Sequence, residues 1–271
     1  MKRSKQWMHY ACIATGILAA CVGTARAGII INEIGIDLPG TDNGQEFFEL
    51  KSTTNGVESL SGLHLLSIEG DGASAGTIDQ AISLGSFSTG TNGLFLWRDA
   101  ATVLSPAPHP ATVVNVADFS PDLENGSNTF VLVSGFSGAV GNDLDTNDDG
   151  MLDSTPWTSV VDSIGLAEND GAANRFYLGT GFAANPTFNP DALIRLSDGS
   201  WFAADVTGAS PGPYAFDPAE TENLSGAAVS IATFDITTLT PGNVNPIPEP
   251  TTALLLGLAT LAVAAGRRRA R

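Results

Sequence analysis

The chain has 271 residues, with 12 lysines and arginines against 29 aspartates and glutamates and a formal net charge of −17. Eight of the basic residues lie near the two ends, so that residues 28–246 carry 28 acidic side chains and four basic ones. A chain of this length forms one or two domains. So acidic a body is expected to repel nucleic acid and anionic membrane, which excludes both as charge-driven partners.

Residues 1–27 have the three parts of a secretory signal peptide. Basic residues at the start precede an apolar stretch over 11–22, and a small-x-small site ends at Ala27. This order predicts cleavage by signal peptidase between Ala27 and Gly28. The four residues ending in Cys21 are similar to a lipobox, so lipidation of Cys21 is an alternative. Cleavage after Ala27 removes both cysteines and excludes a disulfide or thiolate-zinc site in the mature body.

The body that follows contains short apolar runs separated by Asn-Gly, Asp-Gly and proline-containing turns. The runs have four to seven residues each, too few for a helix, and are rich in Val, Ile, Phe and Leu. They occupy 29–34, 46–50, 63–68, 94–97, 112–116, 129–133, 160–164 and 192–196. The pattern predicts an all-β fold, an antiparallel sandwich or barrel. We expect the domain to cover 28–213 and a last strand and linker to cover 214–246, with a second small domain as the alternative.

Several motifs in the body resemble those of lamin-tail domains. They are Ile31-Asn32-Glu33, then Glu46-Phe47-Phe48-Glu49-Leu50, Leu60-Ser61-Gly62, Val160-Val161-Asp162-Ser163-Ile164 and Ala209-Ser210-Pro211-Gly212. The sequence departs from the family after Leu50, where Lys51-Ser52-Thr53 replaces the usual residues, and its span is longer. The resemblance implies an immunoglobulin-like β-sandwich that serves as a scaffold or binding module.

An acidic stretch over 145–153 has the spacing of an EF-hand-type calcium loop. Side-chain oxygens fall at alternate positions, Gly150 provides the sharp turn, and the expected ligands are Asp145, Asn147, Asp149, the Met151 carbonyl and Asp153. Position 12 is Pro156, so the usual bidentate carboxylate is missing, and Asp143 or Asp162 would complete the shell. The loop predicts Ca²⁺ as a cofactor; a solvated acidic turn is the alternative.

Other polar and aromatic residues give weaker predictions. Glu46 and Glu49 are three positions apart in a strand, so we expect them on opposite faces, at solvent and rim positions. His64 is expected on a strand surface and His109 in a loop. Three tryptophans are interpreted as core or strand-edge residues, with a sugar-binding platform as the alternative; they are Trp97, Trp157 and Trp201.

The C-terminal segment, 247–271, resembles the PEP-CTERM sorting signal. It begins with Pro248-Glu249-Pro250, continues with an apolar stretch over 251–266 that predicts a transmembrane helix, and ends in an arginine cluster. The resemblance implies recognition by an exosortase, transient insertion in the inner membrane, and delivery to the surface or extracellular matrix of a Gram-negative bacterium.

The sequence therefore predicts an exported, non-enzymatic structural or binding protein that is stabilised by calcium. Extracellular polysaccharide or another surface protein is the expected partner. A carbohydrate-binding or adhesion module is the first alternative, and a secreted hydrolase the second.

Overall fold

The computed structural model describes residues 28–40, 44–169, 174–210, 212–231 and 238–245, and this part of the chain is all-β. Ala27, the sorting residues Pro248, Glu249 and Pro250, and the predicted helix over 251–266 lie outside it. Among the helices of the described ranges, none has the length and apolar character needed to span a bilayer.

Two sheets stack face to face. The larger sheet has the strand order β12-β11-β10-β1-β2-β5-β6, and the smaller sheet has the order β4-β3-β7-β8-β9. The strands are β1 (Ile29–Gly35), β2 (Phe47–Ser52), β3 (Leu63–Glu69), β4 (Ile78–Ser83), β5 (Leu94–Arg98), β6 (Val113–Val116), β7 (Asn128–Ser134), β8 (Ser159–Leu166), β9 (Gly181–Phe182), β10 (Ala192–Arg195), β11 (Trp201–Gly208) and β12 (Tyr214–Asn223).

The sheets are mixed, so the prediction of a purely antiparallel sandwich was wrong. β6 pairs in parallel with β5, and β9 pairs in parallel with β8. Between β5 and β6 the chain runs through 99–112, which is long enough for a crossover that lets β6 enter in the direction of β5. An immunoglobulin-like strand pattern stays a prediction.

Apolar side chains are buried on both faces of each sheet. Ile31, Phe48 and Leu132 belong to the cluster that fills the space between the sheets. A second cluster, with Phe47 and Phe202, covers the outer face of the larger sheet, and a third lies outside the smaller one. Strands with two buried faces have nearly continuous apolar sequences, which explains why the runs do not alternate with polar residues.

The end of the body returns to the larger sheet. We call residues 238–245 the C-terminal strap. Leu239 of the strap is 3% exposed and joins the outer cluster, and Asn245 is 1% exposed. The linker expected over the end of 214–246 is thus packed against the sheet in this part.

Candidate functional site

The strap is shaped by a tight turn over Thr240, Pro241, Gly242 and Asn243. The Asn243 N–H donates to the Thr240 carbonyl at 2.9 Å, and Gly242 has a φ of +82°. Proline at the second position and a left-handed glycine at the third are typical of a type II turn. A Cβ on Gly242 would lie 2.4 Å from the Pro108 Cβ, so only glycine fits here.

The turn rests on two buried glutamates of the larger sheet. Glu33 on β1 accepts the Thr240 N–H at 2.9 Å and lies 3.1 Å from the Thr240 hydroxyl. Glu49 on β2 accepts hydrogen bonds from the Gly242 N–H and from the Asn32 side chain. Both glutamates are fully buried, so the carboxyls act as acceptors for main-chain groups of the strap.

Glu33 and Glu49 stand directly opposite each other in the β1–β2 register. Like charges in this position repel, and no water surrounds them. Burial raises the pKa of Glu33 to about 7. Burial, and then the charge of Glu33, raise the pKa of Glu49 well above its ordinary value. The pair therefore retains protons at pH values where exposed glutamates are ionised.

A proton on Glu33 also accounts for the bonding of Thr240. The Thr240 hydroxyl has one hydrogen but lies near two oxygens, Glu33 Oε2 and Asn245 Oδ1, the latter at 2.8 Å. If Glu33 donates to the hydroxyl, the hydroxyl donates to Asn245 and each group is satisfied. The acid pair and the end of the strap thus form one connected network.

Asn245 fixes the end of the strap. Its side-chain amide donates to the Arg195 carbonyl at 2.8 Å and to the Asn32 carbonyl at 3.4 Å, and its own carbonyl accepts from the Ser197 hydroxyl. Its Oδ1 faces the Thr240 hydroxyl. The last described residue of the body is therefore held by four hydrogen-bond contacts.

The expected solvent and rim positions of Glu46 and Glu49 were wrong, since the two residues are 2% and 0% exposed. The Glu46 N–H donates to Asp99 Oδ2 at 2.9 Å, and burial, followed by a side-chain hydrogen bond with Glu46, raises the pKa of Asp99 to about 8. Glu49 instead faces Glu33. Sequence reasoning missed this pair because its members belong to different strands.

The acidic loop over 145–153 closes around one buried carboxylate. Asp145 is fully buried and accepts the Gly150 N–H at 3.0 Å, the Asp149 N–H at 3.2 Å and the Tyr177 hydroxyl at 2.9 Å. The Arg175 guanidinium lies 3.3 Å from the same carboxylate. Burial opposes the charge of Asp145, but the hydrogen bonds outweigh it and lower its pKa. Arg175 thus provides the loop with an internal cation.

The remaining predicted calcium ligands are exposed. The Asn147 amide lies 3.3 Å from Asp149 Oδ2 and 3.5 Å from Asp153 Oδ1, and the Asp153 Oδ2 accepts from the Thr146 hydroxyl. Met151 is 68% exposed, and its N–H donates to Asp149. Arg175 pairs with Asp145 Oδ2 and therefore competes with a calcium ion for that oxygen.

The two acidic residues expected to complete the shell have other partners. Asp143 accepts the Asp145 N–H at 3.0 Å. Asp162 accepts the Ile31 N–H at 2.8 Å and forms an ion pair with Arg195 at 2.5 Å, which joins the two sheets. Within the part of the chain that the structure covers, a group of three carboxylates lies away from this loop. Its members have oxygens within 4.8 Å of one another and are Asp205, Asp217 and Glu220.

The tryptophans and His64 belong to the packing of the body. Trp97 stacks on Phe48 with a centroid distance of 6.0 Å, and Trp201 is 5% exposed beneath the Arg195 guanidinium. His64 is partly buried against Phe136, which lowers its pKa through desolvation. His109 is exposed in its loop. Trp97 and Trp201 therefore do not present the flat exposed faces of a sugar-binding platform.

A groove of about 420 Å³ opens between the sheets beside Gly28. Its lining combines four serines with Ile29, Leu63 and Val161, and Glu58 is the one carboxylate among the lining residues. A glycosidase needs two carboxyl groups that converge on the substrate, so this groove lacks that arrangement.

Comparison with known protein families gives a match in the C-terminal segment. The family model described as the PEP-CTERM protein-sorting motif matches residues 246–269. The chain carries this sorting motif. It supports an exported protein that exosortase recognises and that is directed to the cell surface of a Gram-negative bacterium. No curated protein and no solved structure matches the chain, and the lamin-tail resemblance of the body stays a prediction.

Proposed function

We propose that the chain is an exported surface protein whose β-sandwich body acts as a non-enzymatic structural or binding module after sorting by exosortase. The observation that carries the proposal is the PEP-CTERM motif over 246–269, which begins immediately after Asn245. Signal peptidase, acting between Ala27 and Gly28, and exosortase are the expected processing enzymes. Once the protein has been sorted to the surface, extracellular polysaccharide or another surface protein is its expected partner.

The bonding of the buried acidic groups supports a structural role. Glu33, Glu49 and Asp145 accept hydrogen bonds from main-chain groups of the body itself. A catalytic carboxyl must instead reach a reacting atom of the substrate. These carboxyls are used to hold the strap and the acidic loop.

Calcium stabilisation is the second part of the proposal. Asp149 and Asp153 are exposed and lie close to Asn147, and a hard cation prefers such oxygen ligands. The competing group is Arg175, which already pairs with Asp145. We expect calcium to bind by drawing Asp145 away from Arg175, with the low affinity of an extracellular site.

The sorting proposal is tested by mass spectrometry of the protein from a host with its exosortase and from the same host without it. We expect the mature N-terminus at Gly28 in both hosts and loss of the C-terminal segment only where exosortase is present. Glu249→Ala should block this processing, whereas Glu58→Ala, in the body, should leave it unchanged. Equal processing in both hosts would refute sorting by exosortase.

A further inference from the structure

The sorting motif starts very close to a fixed point of the body. Asn245 is 1% exposed and held by its contacts to Asn32, Arg195, Ser197 and Thr240. Three residue steps separate it from Pro248, and an extended chain covers at most about 3.6 Å per residue. With the strap in place, the chain from the fixed residue Asn245 to Pro248 can span no more than about 10 Å.

The strap is attached mainly by polar contacts. Thr240 and Gly242 donate to the glutamate pair, and the Gly242 carbonyl accepts from the His109 N–H and the Thr112 hydroxyl. Leu239 and Pro241 add two buried apolar side chains. Few buried apolar contacts and many hydrogen bonds characterise segments that open locally while the rest stays folded. Release of its eight residues would add roughly 26 Å of reach.

We propose that the C-terminal strap is a latch that controls the access of exosortase to the sorting motif. The inference rests on the proposed sorting function and adds its regulation. In the latched state only two residues separate Pro248 from Asn245, which is fixed on the body. Release of the strap is the step that lets the enzyme reach it.

The size of the body explains why the short tether matters. A compact domain of about 215 residues has a radius of gyration of about 17 Å. We call the chain between the body and Pro248 the tether. A membrane enzyme that must hold the chain around Pro248 would collide with the body if the tether is about 10 Å long. With the strap released, the tether exceeds the radius of the body, and the enzyme and body no longer compete for the same space.

The test measures the rate at which the C-terminal segment of the full chain is removed, by pulse-chase in a host with exosortase. One variant carries a flexible spacer of roughly 16 Gly and Ser residues between Asn245 and Pro246, long enough to span about 20 Å as a random coil. A second variant, Asn245→Ala, weakens the latch. The matched control has the same spacer at the exposed turn between Asp198 and Gly199.

We expect faster processing of the spacer variant, which keeps the strap bonded but lengthens the tether. Asn245→Ala removes the three side-chain contacts to Asn32, Arg195 and Thr240. It should raise the rate at least about fivefold, which is the change in the released population on losing one net hydrogen bond. The spacer variant keeps the test decisive if Asn245→Ala fails to fold. Processing of the control should match that of the unaltered chain.

Unchanged rates in both variants, with processing still dependent on exosortase and blocked by Glu249→Ala, would overturn the latch and leave the sorting function intact. Acceleration by the control insertion as well would also overturn it. Processing that continues without exosortase would instead contradict the sorting function itself.

Discussion

Replacing Glu33 by glutamine tests whether the buried acid pair limits the stability of the body at neutral pH. Burial raises the pKa of Glu33 from its ordinary value of 4.5 to about 7, so the folded state binds this proton more tightly than the unfolded state. The contribution of the proton to stability is complete below pH 4.5 and is lost as the pH rises through 7. Glutamine is neutral throughout and should remove this dependence.

The expected difference in stability between Glu33→Gln and the natural sequence follows from the difference between the pKa of Glu33 in the folded and unfolded states. A difference of roughly 2.5 pH units corresponds to about 3 kcal/mol in the free energy of unfolding. A glutamine amide can accept the Thr240 N–H and donate to the Thr240 hydroxyl, as the protonated glutamate does. At pH 8, Glu33→Gln should therefore be more stable than the natural sequence by up to about 3 kcal/mol, and at pH 4.5 nearly equal to it.

Urea unfolding of residues 28–245 at pH 4.5 and pH 8 measures both differences. Acidic groups remote from Glu33 are common to both proteins, so their titration cancels in the comparison. The charge of Glu33 helps to raise the pKa of Glu49, so in Glu33→Gln this carboxyl ionises more easily, which adds to the gain at pH 8. Glu33→Ala serves as the control, and it should lose about 1–3 kcal/mol because it leaves the strap amide without an acceptor. A glutamine variant that is less stable than the natural sequence at pH 8, or gains equally at both pH values, would refute the reasoning.

Further predictions concern the acidic loop, the strap and the core. Asp145→Asn should lower stability by about 2–4 kcal/mol at pH 7 in thermal melts, because buried donors lose a charged acceptor; the contribution of Asp145 should disappear as the pH falls below about 4, since its pKa is lowered. Millimolar calcium should raise the melting temperature, and Asp149→Ala should abolish the rise; a melting temperature indifferent to calcium removes the metal site. Gly242→Ala should lose about 1–3 kcal/mol in urea unfolding, more than the matched Gly226→Ala, which also has a positive φ but no atom closer than 3.9 Å to the new Cβ. Trp201→Ala should lower the melting temperature while polysaccharide pull-down by the folded protein stays unchanged; weaker binding would support the sugar platform.

Much of the strand framework could be predicted from the sequence. Each of the eight apolar runs falls within or overlaps a strand, because Val, Ile, Phe and Leu in short runs between turns suit a buried sheet. Asp198-Gly199 forms the turn between β10 and β11, as its sequence indicates. The less apolar β4, Ile78–Ser83, was missed because its sequence lacks a continuous apolar run.

The acid pair and the strap could not be predicted from local patterns. The pairing of Glu33 with Glu49 depends on the β1–β2 register, which includes an irregularity between Ile31 and Glu33. The docking of Thr240 on Glu33 joins residues 207 positions apart. One local signal was present, the Pro241-Gly242 dipeptide, which indicates a type II turn; it does not indicate what the turn packs against.

The position of β1 has a consequence for the order of folding. This strand comes first in the body but lies in the larger sheet between β2 and β10, and its partner residues on β10 are Ala192, Leu193 and Ile194. Such long-range pairing makes folding slow, since distant segments must meet before the contacts compensate for the lost entropy. A chain threaded outward from its amino terminus therefore cannot complete this sheet until some 160 further residues have crossed. Until then, the edge of β1 that pairs with β10 has no partner strand.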